Sequence, residues 1–162
     1  MFALLKPPPM AGRSSTGLLV LRIVLGLAFV QYGLLKAAHP FSWAAVIGMP
    51  GLPPLVQCLV VLAELGGGLL LVAGALTPLA ALLIAADMLG AIVTFVIPHH
   101  GMVWISSTPR LTVEKNLFYA AAAVTLLLTG PGAYSIDALF ARDRIRMGTD
   151  GLAGELSSSA TS

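Results

Sequence analysis

Residues 55–97, LVQCLVVLAELGGGLLLVAGALTPLAALLIAADMLGAIVTFVI, decide the fold. Two long apolar runs flank a short break at Gly74 to Pro78, and the only charged residues in the whole stretch are Glu64 and Asp87. About 20 mostly apolar residues, rising ~1.5 Å each, cross a bilayer core roughly 30 Å thick. The runs 55–74 and 79–97 therefore read as two transmembrane helices. A break this short makes them antiparallel neighbours, and Gly74 followed by Pro78 is the punctuation of such a turn.

The rest of the chain extends the pattern. Of its 162 residues 57% are hydrophobic and 10% charged, with a mean hydropathy of +0.93. A soluble domain carries about 25% charged residues. A chain this small exposes much of its surface, so most of that surface is expected to face lipid. Two further runs, 17–38 and 113–129, have the length and apolarity to span. Ser14, Ser15 and Thr16 supply N-caps for the first, which Pro40 closes. Pro98 ends the third helix and Gly130-Pro131-Gly132 ends the fourth. A cleaved leader is disfavoured, because the first apolar run is long and Ala37-Ala38-His39-Pro40 is a poor cleavage site.

The expected architecture is an all-α integral membrane protein, a four-transmembrane-helix bundle with a short C-terminal interfacial helix. Residues 1–16 form a cytoplasmic N-terminal segment and 17–134 the transmembrane domain. Ser135 caps the segment 135–147, whose Ile136, Leu139, Phe140 and Met147 share one face, as an interfacial helix does. The Gly/Ser-rich tail 148–162 is expected to be disordered. Four helices put both termini on one side. That side carries Lys6, Arg13, Arg142, Arg144 and Arg146 against Lys36, Arg110 and Lys115 opposite, which places both termini in the cytoplasm, with the protein in the inner membrane. Trp43 and Trp104 then fall at the outer interface, where indole rings anchor.

Several function classes are excluded. The net charge is +2 with no long basic run, which gives no basis for nucleic-acid binding. Cys58 is the single cysteine, so an internal disulfide, a cysteine-built metal site and CxxC redox chemistry are all ruled out within one chain. His99-His100 has a metal-ligand or proton-carrier reading, but adjacent loop histidines are commonly just solvated, and no metal site is assigned.

Charged residues inside a bilayer carry the information. They are costly there, so they face a partner or a cavity. Glu64 and Asp87 each lie about ten residues from the turn, which puts both at one depth on adjacent helices. Two carboxylates facing each other require a shared proton or an intervening cation. Arg22 is the nearest cation in this reading; it either pairs with Glu64 or Asp87 or snorkels to the headgroups. Arg22, Glu64 and Asp87 thus form one candidate polar site. A second gathers toward the outer face from Gln31, Tyr32, Lys36 and His39 on the first helix and Glu114, Lys115 and Asn116 on the fourth. Lys36 and Glu114 lie at similar depth and are placed to pair. The competing reading of both clusters is structural, with charge pairs fixing helix register. Gly66-Gly67-Gly68 permits close backbone approach or leaves room for a flat ligand.

The order and spacing of these pieces resemble the DoxX family of small four-helix membrane proteins. The pieces are Leu21-Arg22 through Gly26, Tyr32-Gly33, Lys36, Glu64 with Gly67-Gly68, Thr77-Pro78, Asp87, Glu114-Lys115-Asn116, and Gly130-Pro131-Gly132 with Ser135-Ile136-Asp137. Many relatives carry His-Gly where this chain has Tyr32-Gly33, so no role of that histidine transfers. The resemblance implies a redox-linked membrane system: the named member is similar to a subunit of a thiosulfate:quinone oxidoreductase or quinol oxidase assembly, and other relatives are associated with thiol or oxidative-stress defence.

Three functions fit. The first is a quinone-linked redox subunit, with Glu64, Asp87, Arg22 and Tyr32 offered to a quinone and electrons from a soluble redox-enzyme partner, since no haem or iron–sulfur ligand set is visible. The second is a non-enzymatic anchor or assembly factor. The third is a small proton-coupled transporter, which four helices suit only as a homo-oligomer.

Overall fold

The structure, a computed structural model, describes residues 12–49, 51–100 and 113–142, with the backbone alone for His99 and His100. The expectations placed on Lys6, Trp104, Arg110, Arg144, Arg146, the histidine side chains and the tail lie outside the described residues. Among the described residues the chain is all helical. Helix α1 runs Arg13–Ala37, the short α2 Trp43–Val46, α3 Pro54–Ala73, α4 Thr77–Val96 and α5 Val113–Thr129. Ile97–His100 prolongs α4. Three of these, α1, α3 and α4, are long and apolar enough to cross a membrane. The expected count of four rests on α5, which has 17 residues.

The helices pack antiparallel in sequence order, and small residues set how closely. A Cβ on Gly33 would stand 2.6 Å from the backbone nitrogen of Leu65, and one on Gly68 would stand 2.7 Å from that of Val30. A Cβ on Gly26 would meet the Gly68 carbonyl at 2.8 Å. Helices α1 and α3 therefore touch backbone to backbone, as glycine contacts in lipid allow. Gly66, by contrast, has open space around it, so only part of the glycine triplet serves this contact. Helix α4 packs closely along α5, and Ala80, Ala81, Ala120 and Ala123 are all buried. Phe29, Leu71, Ile84 and Leu126 fill the centre, while Val24, Leu35, Val93, Phe118 and Leu128 point outward. An apolar shell over an apolar core is the pattern of a protein whose solvent is lipid.

One end of the bundle is closed by the segment after α5. Gly74 ends α3 at φ 68°, the left-handed cap that glycine accepts without strain. Leu76, two residues on, holds φ 47°, an uncommon conformation for a bulky side chain. Asp137 secures it: its Oδ1 accepts from Leu76 N–H at 2.8 Å and its Oδ2 from Thr77 N–H at 2.9 Å. The carboxylate thereby caps α4 from a distant part of the chain, where free N–H groups and the helix dipole favour an anion. Ser135 Oγ accepts from Ala138 N–H at 3.0 Å and starts a helical stretch over 136–142.

The glycine contacts generate a contrast. Gly33→Ala is expected to destabilise the protein by about 1–3 kcal/mol, the usual cost of overpacking. Gly66→Ala is expected to be near neutral. Denaturant unfolding in detergent micelles measures both, and equal effects would contradict the packing described.

Candidate functional site

The α1–α3 contact fixes what meets what. With Gly33 against Leu65 and Gly26 against Val72, Lys36 is brought level with Glu64. Lys36 Nζ donates to Glu64 Oε1 at 2.6 Å. The glutamate is 2% exposed. A π turn over Leu62–Gly66 carries Glu64; such bulges in α-helices recur at functional sites.

Asp87 on α4 lies near enough to Glu64 for the two carboxyl groups to act on each other electrostatically. Glu64 Oε2 and Asp87 Oδ2 are both buried and have no hydrogen-bond partner. Lys115 of α5 is near enough to act electrostatically on Glu64, and its Nζ stands 5.3 Å from the Tyr32 ring centroid. The Tyr32 and Tyr119 hydroxyls are 3.3 Å apart. Phe29 meets both rings edge to face, with centroids 6.0 and 5.4 Å away. The site thus joins two carboxyl groups, two ammonium groups and two phenols from α1, α3, α4 and α5.

Helix α2 covers it. Trp43 is buried, not at a lipid interface as its sequence position suggested, and its ring lies 4.3 Å below Lys36 Nζ in a cation–π contact. Trp43 Nε1–H donates to the Gln57 carbonyl at 3.1 Å. The Gln57 side chain accepts from Ala44 N–H at 3.0 Å and donates to the Leu52 carbonyl at 2.8 Å. Gln57 therefore pins α2 to the start of α3 through its amide oxygen, and its amide nitrogen holds the loop between them at Leu52.

The sequence groups residues differently from the structure. Lys36 pairs with Glu64 rather than Glu114, so the expected outer cluster and the carboxyl pair are one assembly. Asn116 is buried and Glu114 half-buried at the start of α5. Gln31 is exposed on the outside of α1. Arg22 is absent from the site. It precedes Lys36 by 14 positions, roughly 21 Å along a helix, and lies at the Gly74 end. It is 1% exposed; Nη1 donates to the Pro131 carbonyl at 2.7 Å and Nη2 to the Tyr134 carbonyl at 2.6 Å, with Asp137 nearby. Depths counted from assumed helix ends miss this because glycine packing, not helix length, sets the register. Sequence reasoning also missed Tyr119 and Gln57. Tyr119 could have been found from its position four residues after Lys115, on the same helical face. Gln57, a lone polar residue in an apolar run, carried a weaker signal.

The DoxX family model matches residues 17–97, which includes Arg22, Tyr32, Lys36, Glu64 and Asp87. The inner membrane protein YqjF of Escherichia coli K12 is 34% identical over 123 residues, covering 76% of this chain and 91% of that protein. The inner membrane protein YphA of the same organism is 33% identical over 126 residues, covering 74% and 87%. No solved structure matches the chain.

Breaking one side of a buried ion pair costs more than removing both. Lys36→Met is expected to destabilise the protein by about 3 kcal/mol. Adding Glu64→Leu should recover most of the loss, and a double-mutant cycle on unfolding in detergent reads the coupling.

Proposed function

The chain belongs to the DoxX family of integral membrane proteins, and from that premise we propose that it is a four-span inner-membrane subunit of a quinone-linked redox system. Helices α1, α3, α4 and α5 each cross the bilayer, with both termini cytoplasmic. At 17 residues, α5 is at the lower limit for a span, and its close packing along α4 keeps it in the bundle. The arginines after α5, with Lys6 and Arg13 at the N-terminal end of α1, favour this orientation. The segment 136–142 lies at the cytoplasmic interface, with Ile136, Leu139 and Phe140 exposed.

The observation that carries the reading is the pair of buried, unpartnered oxygens, Glu64 Oε2 and Asp87 Oδ2. Buried polar atoms are normally satisfied, and exceptions call for an explanation. The residue types fit a quinone head group: carboxyl and phenol groups can donate to or accept from its oxygens, and Phe29, Tyr32 and Tyr119 offer an aromatic wall. A bound quinone would supply the two-electron, two-proton chemistry, and a soluble partner would exchange the electrons. In this reading the Glu64 and Asp87 carboxyls would exchange protons with the head group at Oε2 and Oδ2. Lys36 balances the remaining charge, and the Trp43 ring of α2 lies against its ammonium.

A second reading is favoured by the Lys36–Glu64 bond itself, which ties α1 to α3: the cluster fixes register, and the chain is a non-enzymatic anchor. Quenching of Trp43 fluorescence by a short-chain quinone, in a Trp104→Phe background in nanodiscs, separates the two. Glu64→Gln and Asp87→Asn are expected to weaken binding about tenfold or more while the fold persists, since each removes a charge-assisted partner. Absence of quinone binding, with both variants only lowering stability, would favour the anchor.

A further inference from the structure

Helix α1 leaves one face uncovered, widened by Leu35 toward its end. Val20, Val24, Leu27, Gln31, Leu34 and Ala38 are all exposed, and they recur at alternating steps of four and three residues. That is heptad spacing, the seam by which one helix packs along another. The other faces of α1 meet α3 and α5. No charged residue lies on the strip.

Gln31 singles the strip out. Two exposed threonines deeper in the helices satisfy themselves: Thr94 Oγ1 donates to the Gly90 carbonyl at 2.7 Å, and Thr125 Oγ1 to that of Ala121 at 2.8 Å. Gln31 makes no hydrogen bond to another described residue. It sits five positions from Lys36 toward the middle of α1, about 7.5 Å deeper, where lipid offers an amide no partner. A single polar residue at one seam position is the device that sets register and oligomer state in paired helices.

We propose that two copies of this chain pair in parallel along α1, with Gln31 hydrogen-bonded to Gln31 of the partner subunit. A carboxamide carries both donor and acceptor and so complements itself. Two chains inserted with the same topology hold Gln31 at the same depth, and a two-fold axis along the membrane normal brings like residues together. The uncharged strip sets no like charges against each other. Pairing at this spacing implies a shallow left-handed crossing near +20°. The inference rests on the membrane setting of the family and is independent of the quinone reading.

The full chain in liposomes, labelled and counted by single-molecule photobleaching as lipid is increased, tests this. The wild type is expected to be dimeric, and Gln31→Leu to need a roughly three- to twentyfold higher density to dimerise, as interhelical hydrogen bonds in membranes imply. In a Cys58→Ala background, Val24→Cys, Leu27→Cys and Leu34→Cys should cross-link into dimers, while Ile23→Cys and Val30→Cys, off the strip, should not. A monomer at all densities, a Gln31→Leu variant that pairs like the wild type, equal cross-linking on and off the strip, or cross-linking only to a different protein would each overturn the proposal.

Discussion

The backbone contact between α1 and α3 is the constraint on which the rest of the molecule depends. Lipid tails are as apolar as leucine, so helices in a membrane gain little from hiding apolar surface against one another. They associate where shapes allow close approach. Gly26, Gly33 and Gly68 provide that approach, and only one axial register satisfies all three contacts. In that register Lys36 meets Glu64 at one end, and Arg22 meets the Gly74 turn at the other.

Each end then solves the cost of burying charge in its own way. At the Lys36 end, opposite charges meet directly, and Trp43 lies beneath the ammonium. At the Arg22 end, the guanidinium is held by backbone carbonyls of Pro131 and Tyr134, while Asp137 caps α4. A Cβ on Gly74 would collide with Arg22 Nη1 and Ser135, so this glycine serves both its left-handed φ and the seat of the arginine. The two ends differ in what is left unpaired. The Arg22 end binds the last described segment to the first helix and to the α3–α4 turn. Arg22 Nε and Thr77 Oγ1 are buried without partners at that end, as Glu64 Oε2 and Asp87 Oδ2 are at the Lys36 end; only the carboxyl oxygens take up and release protons, which makes the Lys36 end the better candidate for chemistry.

Much of this was legible beforehand, and the misses share one cause. Apolar runs, prolines and glycines located the long helices because a bilayer imposes length and composition on anything that crosses it. Depth counted from the Gly74 turn suggested that Glu64 and Asp87 stand side by side, because a tight turn fixes the register of the two helices it joins. No such turn joins α1 to α3. Their connection includes α2 and several prolines, so depths along α1 could not be counted from α3. Such counting sets Arg22 too close to the carboxylates and pairs Lys36 with Glu114. Residue type places the Trp43 indole at the interface, whereas the structure buries it with its N–H on the Gln57 carbonyl.

The sequence by itself determined the membrane class, three long apolar helices, the turn between α3 and α4, and which polar residues had to be explained, because each follows from local composition and from the cost of charge in lipid. Only the tertiary structure decided how those residues are shared out: Lys36 to Glu64, Arg22 to the carbonyls after α5, Asp137 to the start of α4, Gln31 to the outside. Those choices depend on axial register and rotation between helices distant in sequence. Register is set by a few glycine contacts whose partners no local pattern names.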